Sequence, residues 1–303
     1  MIRLTMPNNN SIASEIDAII ARAMAEYQNA RGINPFNEAA DVPEEVPEPE
    51  PLSETEPEIP VNSSSILISE ETSRFNGAIW FDNIQTKVIT LAGLGGIGSY
   101  VAFLLSRLHP NTLYLYDDDI VEAGNMSGQL YSVNDVGQRK VNATASMIST
   151  YSNYYGYITF AERFTDQCSP SNIMICGFDN MEARRTYYNT WKGYVNALPR
   201  DSRKSCLFID GRLAAESFQV LCIKGDDEHS MQRYENEFLF HDSEAEETIC
   251  SYKQTTFMAN MIGSVIVNLF VNFCANECNP LIPRDLPFFT EYSADTMYFK
   301  VVA

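Results

Sequence analysis

Three short runs of this 303-residue chain combine residue types suited to phosphate chemistry. The first is LAGLGGIGSY, residues 91–100, where Gly93, Gly95 and Gly98 take a G-x-G-x-x-G spacing. Glycines there let a backbone approach a phosphate closely. A helix starting just after them offers N–H groups and the positive end of its dipole. Alone, the spacing is a weak signal, because dinucleotide carriers and proteins that cleave a nucleotide both use it. The second run, YDDDIVEAGNMSGQLYSVNDVGQRK, opens with Asp117, Asp118 and Asp119, and an acidic side chain at a strand end suits ribose hydroxyls in either class. It continues with Asn125, a neutral donor, and Lys140, a compact cation for phosphate oxygens. The third run, CGFDNMEARR, puts Asp179 just past an apolar strand, where its carboxylate can reach a Mg²⁺ ion held by phosphates. No residue group resembles a hydride-transfer acid. Asn125, Lys140 and Asp179 would have no task in a nicotinamide enzyme, whereas a site clamping a triphosphate would use all three.

The elements that must position these runs follow from the apolar patterning. KVITLAG, NTLYLYDDD (111–119), ITFAERF, NIMICGFDN (172–180), KSCLFIDGR (204–212) and ESFQVLCIKG (216–225) read as strands. SYVAFLLSRL, KVNATASMISTYS and MEARRTYYNTW read as helices between the early ones. Strands alternating with helices predict an α/β fold: a Rossmann-like, doubly wound, mostly parallel sheet with helices on both faces. Such sheets bind ligands at the carboxyl ends of their strands, and the three runs follow strands one, two and four. Residues 226–249 read as a long polar loop with a little helix in it, residues 255–276 as a buried helix, and DTMYFKVV as one more strand.

The first 65 residues differ in kind. Residues 12–30 carry Ile16, Ile19, Ile20 and Met24 at helical spacing, which predicts a short amphipathic helix within a segment 1–36. Residues 37–65 are rich in Glu and Pro and lack basic residues, which predicts a disordered, charge-extended linker. The nucleotide-binding domain would then occupy 66–303. A net charge of −19 argues against nucleic acid or an anionic membrane as partner, since both need Lys and Arg to neutralise phosphate. MIRLTMPNNN has no apolar signal core, and MIGSVIVNLFVNFCA is too short for a transmembrane helix, so a cytoplasmic protein is expected. The seven cysteines show no C-x-x-C pair, which predicts reduced thiols and no zinc site; Cys274 and Cys278 read as small apolar core residues. His109, His229 and His241, like Glu162 and Asp166, read as surface residues.

Taken together and in this order, GLGGIGS, DDDIVEAGNMSGQ, DVGQRK and GFDNMEAR resemble the ThiF/MoeB family, the adenylating domain also found in ubiquitin-activating enzymes. The resemblance covers roughly residues 67–275. It implies ATP-dependent adenylation of the C-terminal glycine carboxylate of a small ubiquitin-like or sulfur-carrier protein, with Mg²⁺ and in a homodimer. By that resemblance Gly93, Gly95, Gly96 and Gly98 would line the nucleotide and Asp117 would hold the ribose. Asn125 and Lys140 would hold phosphates, Asp179 would bind Mg²⁺, and Asp119, Gln129 and Asn180 would complete the nucleotide contacts. SRFNGAIW is similar to the family's N-terminal Ser-Arg motif. Arg74 would then be a finger reaching a phosphate across a dimer interface, or else a surface arginine before a core Trp.

The sequence departs from the family pattern at Gly128, where an Arg usually precedes the Gln. Arg139 or Arg74 would have to compensate. Otherwise the chain would be a catalytically impaired nucleotide-binding scaffold; adenylation of another peptide or a small carboxylate is the other alternative. Cys250 has two readings, a thiol for thioester or sulfur-transfer chemistry and an incidental loop cysteine, with Lys253 favouring the thiolate and Glu246 and Glu247 opposing it.

Overall fold

Val88–Ala92 (β1) is apolar except for Thr90 and buried from Ile89 onward, as a strand covered on both faces requires. It is the pivot of an eight-stranded sheet in the order β3-β2-β1-β4-β5-β6-β7-β8. The strands are Thr112–Tyr116 (β2), Tyr157–Phe160 (β3), Ile173–Cys176 (β4), Leu207–Leu213 (β5), Ser217–Lys224 (β6), Phe289–Ser293 (β7) and Tyr298–Val302 (β8). β1 to β5 pair in parallel, while β5 to β8 form an antiparallel meander. This is a computed structural model, and it describes residues 70–240 and 254–302 apart from Glu71 and Asn76. The expected N-terminal helix, the acidic linker, His241 and Cys250 lie outside those residues.

Among the described residues, the α-helices besides the four-residue Arg200–Arg203 are Ile79–Ile84 (α1), Gly96–Ser106 (α2), Lys140–Ser152 (α3), Met181–Ala197 (α4), Glu228–Arg233 (α5) and Thr256–Cys278 (α6). On one face of the sheet, Val101 and Leu105 of α2 and Ile262, Ile266 and Phe270 of α6 pack on Ile89 and Leu91 of β1. On the other, Tyr187, Tyr188 and Trp191 of α4 pack on Met174 and Phe208. Each such buried side chain contributes about 1.5–3 kcal/mol by leaving water. The buried hydroxyl of Tyr187 donates to the Thr90 carbonyl at 2.8 Å, so this aromatic layer fixes α4 against β1 as well as filling space.

The expected doubly wound sheet is present, with three differences. β7 was not anticipated, because FTEYS is short and alternates polar with apolar residues. Residues 228–238 carry the little helix expected in that loop, but they pack into the core more than a polar loop would. α5 and a π-helical turn at Tyr234–Phe238 bury Met231 and Tyr234, and Leu239 follows them into the core; abundant charged neighbours hide that apolar spacing in the sequence. Finally, α6 is longer than the apolar run within it. By length and composition it could cross a membrane, but here its apolar face is core. Cys274 is buried as expected, whereas Cys278, the last residue of α6, is exposed.

Candidate functional site

The order of strands reverses beside β1, so the loops after β1, β2 and β4 open onto one crevice. Gly93 leaves β1 with φ +83°, a left-handed conformation that favours glycine, and its N–H donates to the Tyr116 carbonyl at 3.0 Å. A Cβ on Gly98 would lie 1.9 Å from the Gly93 carbonyl oxygen, so only glycine allows α2 to start this close beneath the loop. Gly95 occupies the N-cap of α2, and no side chain caps the first turn there. Its N–H groups therefore remain available for an anion.

Asp117 ties the second loop to the first. One carboxylate oxygen accepts from the Leu94 N–H at 2.6 Å and the other from the Asp119 N–H at 2.9 Å. Burial pushes the Asp117 carboxyl above its ordinary value, and the two amide donors and Lys140 act against that. Two oxygens have room for about four donors, so acceptor capacity remains. Lys140, the first residue of α3, is buried and donates to Asp119 at 2.8 Å, leaving two of its three N–H donors. The Ser99 hydroxyl accepts from the Leu130 N–H at 3.0 Å and thereby sets the neighbouring Gln129 against α2.

The loop after β4 carries Asp179, which is exposed, and Asn180, the N-cap of α4, which accepts from the Ala183 N–H at 2.8 Å. Beneath them lies a network that sequence reasoning missed. The fully buried Asp210 carboxylate on β5 accepts from Arg184, from Arg212 at 3.0 Å and from the Tyr234 hydroxyl at 3.0 Å. Arg184 also donates to the Phe178 carbonyl and so holds the residue before Asp179. The available signal was an Asp and an Arg two apart inside an otherwise apolar strand, FIDGRL.

These loops enclose a cleft of about 1700 Å³. Its lining includes Gly93, Gly95, Gly96 and Gln129 from the glycine side, Asp117, Asp119 and Lys140 from the loop after β2 and the start of α3, and Asp179 and Asn180 from the loop after β4. Gly98 lies behind the loop and does not line the cleft. Asn125 stays outside it too; its side chain accepts from the Glu122 N–H at 2.8 Å and caps a 3₁₀ turn. Arg74 is exposed on the turn Ser73–Phe75 and does not line the cleft of its own chain. Glu162 and Asp166 are exposed as expected, yet they lie on the rim of this cleft. Asp117, Asp118 and Asp119 could bring three carboxylate oxygens within 4.8 Å of one another; Asp179 is not part of that group.

Two observations test whether a nucleotide suits this cleft. Glycines leave the head of α2 open, and Gln129, only 7% exposed, has a buried side-chain oxygen with no hydrogen-bond partner among the described residues. A buried acceptor without a partner costs free energy that a bound donor would recover. The residues thus fit a phosphate-bearing ligand with its own hydrogen-bond donors.

The ThiF family model matches residues 69–301, most of the chain. The chain belongs to the ThiF family. Within it, the chain is 29% identical over 121 residues to ubiquitin-like modifier-activating enzyme 5 of Drosophila virilis, covering 34% of this chain and 30% of that protein. It is 28% identical over 120 residues to the enzyme of the same name from Caenorhabditis elegans, covering 34% and 29%. The chain thus spans under a third of the length of the curated relatives it matches. Among solved structures, PaaA superposes with a TM-score of 0.56 at 18% identity, over 77% of this chain and 82% of that one. E. coli MccB with MccA-N7isoASN superposes with a TM-score of 0.55 at 15% identity, over 77% and 70%. At those identities the structures establish that this ThiF-family chain shares their fold.

Proposed function

We propose that this chain uses ATP and Mg²⁺ to adenylate the C-terminal glycine carboxylate of a small ubiquitin-like or sulfur-carrier protein. The observation that carries the reading is the convergence of the glycine loop, Asp117, Lys140 and Asp179 on one cleft. Family membership and the ubiquitin-like modifier-activating relatives support it. In this reading a substrate carboxylate oxygen attacks the α-phosphorus of ATP, the bond to the β-phosphate oxygen breaks, and pyrophosphate leaves. The N–H groups at the head of α2 and Lys140 stabilise the phosphates, Asp117 accepts from the ribose hydroxyls, and Gln129 gives its buried oxygen to a ligand donor. Asp179 would hold Mg²⁺, which would supply positive charge for the departing pyrophosphate. The chain acts as a cytoplasmic homodimer in which Arg74 reaches the partner's cleft, since its own cleft does not receive it.

A second reading is a nucleotide-binding scaffold without turnover, and Gly128 favours it by removing a phosphate cation. A third keeps the chemistry but takes another peptide or a small carboxylate; MccB, which shares the fold, has been crystallised with AMPCPP and MccA. ATP–pyrophosphate exchange separates the three. Exchange that requires a Gly-Gly-ending protein and disappears in Asp179→Ala is the expected result. ATP binding without exchange for any carboxylate favours the scaffold, and exchange with other carboxylates alone favours the third.

A further inference from the structure

Gln254 belongs to none of the three phosphate runs, yet it lines the same cleft as Gly95, Gly96, Gln129 and Asp179. Its backbone is anchored on two sides. The Thr255 hydroxyl donates to the Ala215 carbonyl at 2.8 Å in the turn between β5 and β6, and the Thr256 hydroxyl donates to the Ser127 carbonyl at 2.5 Å. The start of α6 is thereby fixed beside Gly128, and the Gln254 side chain runs over that glycine toward the head of α2. A Cβ on Gly128 would lie 2.6 Å from Gln254 Cγ, and a Cβ on Gly96 would lie 1.9 Å from Gln254 Oε1. The two glycines make the room that this side chain fills. Gln129 stands over the preceding residue, with its amide nitrogen 3.8 Å from where a Gly95 Cβ would be. Two carboxamides therefore flank Gly95 and Gly96 at the uncapped first turn of α2, and one of them carries the buried oxygen that lacks a partner.

We infer that Gln254 is a nucleotide-binding residue whose carboxamide donates to a phosphate oxygen at the head of α2, in the space that Gly128 leaves open. This rests on the ATP reading above. A carboxamide can donate through Nε2 while Oε1 stays on the glycine side, and it adds no charge. It therefore orients a phosphate without neutralising it. The absence of a side chain at residue 128 is then a requirement of this arrangement, since any Cβ there collides with the middle of the glutamine side chain.

The test uses the full-length chain and calorimetric titration with Mg-ATP and, separately, with adenosine, which lacks phosphates. Gln254→Ala should weaken ATP binding about ten-fold, the scale of one lost hydrogen bond to a charged group, and leave adenosine affinity and Tm unchanged. Gln254→Glu, of the same shape, should weaken ATP more than the alanine does, because a carboxylate would face phosphate. Gly128→Ala should copy Gln254→Ala by displacing the side chain, and the double variant should lose no more than either single one. Unchanged ATP affinity in Gln254→Ala and Gln254→Glu overturns the inference. So does a parallel fall in ATP affinity, adenosine affinity and Tm, which would make Gln254 a packing wedge. Wild-type protein that binds no ATP overturns the adenylation reading and this inference with it; wild-type binding with indifferent variants overturns this inference alone.

Discussion

Asp117 and Asp210 are both carboxylates on the β-sheet scaffold, and their surroundings differ in a way that separates binding from stability. Asp117 is half-buried, takes its bonds from two backbone amides and keeps acceptor capacity. Asp210 is fully buried and its oxygens are taken by two guanidiniums and a phenol. The first belongs to the parallel half of the sheet, where loops gather at one crevice. The second sits where the parallel half meets the antiparallel meander, and it fixes α4, β5 and the turn after α5 to one another. A buried charge pair contributes little beyond an apolar replacement, but losing one partner leaves the other uncompensated. The comparison teaches that the Asp210 network holds the cleft's shape, while Asp117 keeps acceptor capacity for a ligand.

The largest expected effect would break that comparison if it were missing. Asp210→Ala leaves Arg184 buried without its carboxylate, which costs about 3–5 kcal/mol and lowers Tm by on the order of 10 °C. Scanning calorimetry checks this, and a change of a degree or two would show that the network is not structural. Next comes Gly98→Ala. Its methyl group would meet the Gly93 carbonyl, so the loop must shift, at about 1–3 kcal/mol of stability and more than ten-fold of ATP affinity. Lys140→Ala should weaken ATP binding by about ten- to a hundred-fold, the loss of a charge-assisted bond. Its Tm should fall clearly less than that of Asp210→Ala, because the partner it leaves, Asp119, is mostly exposed and water compensates its charge. Equal losses of Tm in Lys140→Ala and Asp210→Ala would erase the distinction.

The smallest effect is a pH dependence. Burial raises the Asp117 carboxyl in the folded protein, so the folded state takes up that proton more readily than the unfolded chain. The stability linked to it is therefore present below the unfolded value and lost as pH rises through the folded one. ATP binding moves the opposite way, because the ribose needs the ionised acceptor. Affinity should begin to fall at a higher pH than an ordinary aspartate would dictate. Asp117→Asn should flatten that fall, and a titration of ATP affinity against pH would show it.

The site was legible in the sequence where its residues act through their own neighbours in the chain. Gly93 and Gly98 are a local solution to a strand entering a helix, and the apolar periodicity around them showed which element came first. Asp117, Lys140 and Asp179 could be placed because each follows a recognisable strand or opens a helix. Asn125 was read as a ligand from its type and from the family resemblance, yet its side chain caps its own turn and lies off the cleft. Arg74 could be given two roles but no position. The packing of residues 228–239 was hidden because charged residues outnumber the three that reach the core.

What the sequence by itself determined is the set of elements near the glycine loop and the chemical types placed at the strand ends, since both follow from short-range backbone sterics and hydrophobic period. Only the tertiary structure decided that Arg184 and Arg212 share Asp210, that Gln129 holds an oxygen without a partner, and that Gln254 fills the room above Gly128 and Gly96. Most of those partners, such as Arg184 and Asp210 or Gln254 and Gly128, lie far apart along the chain. They meet because the order of strands in the sheet, and the burial of α4 and α6 on its two faces, bring their side chains to one place, and no local pattern encodes that distance.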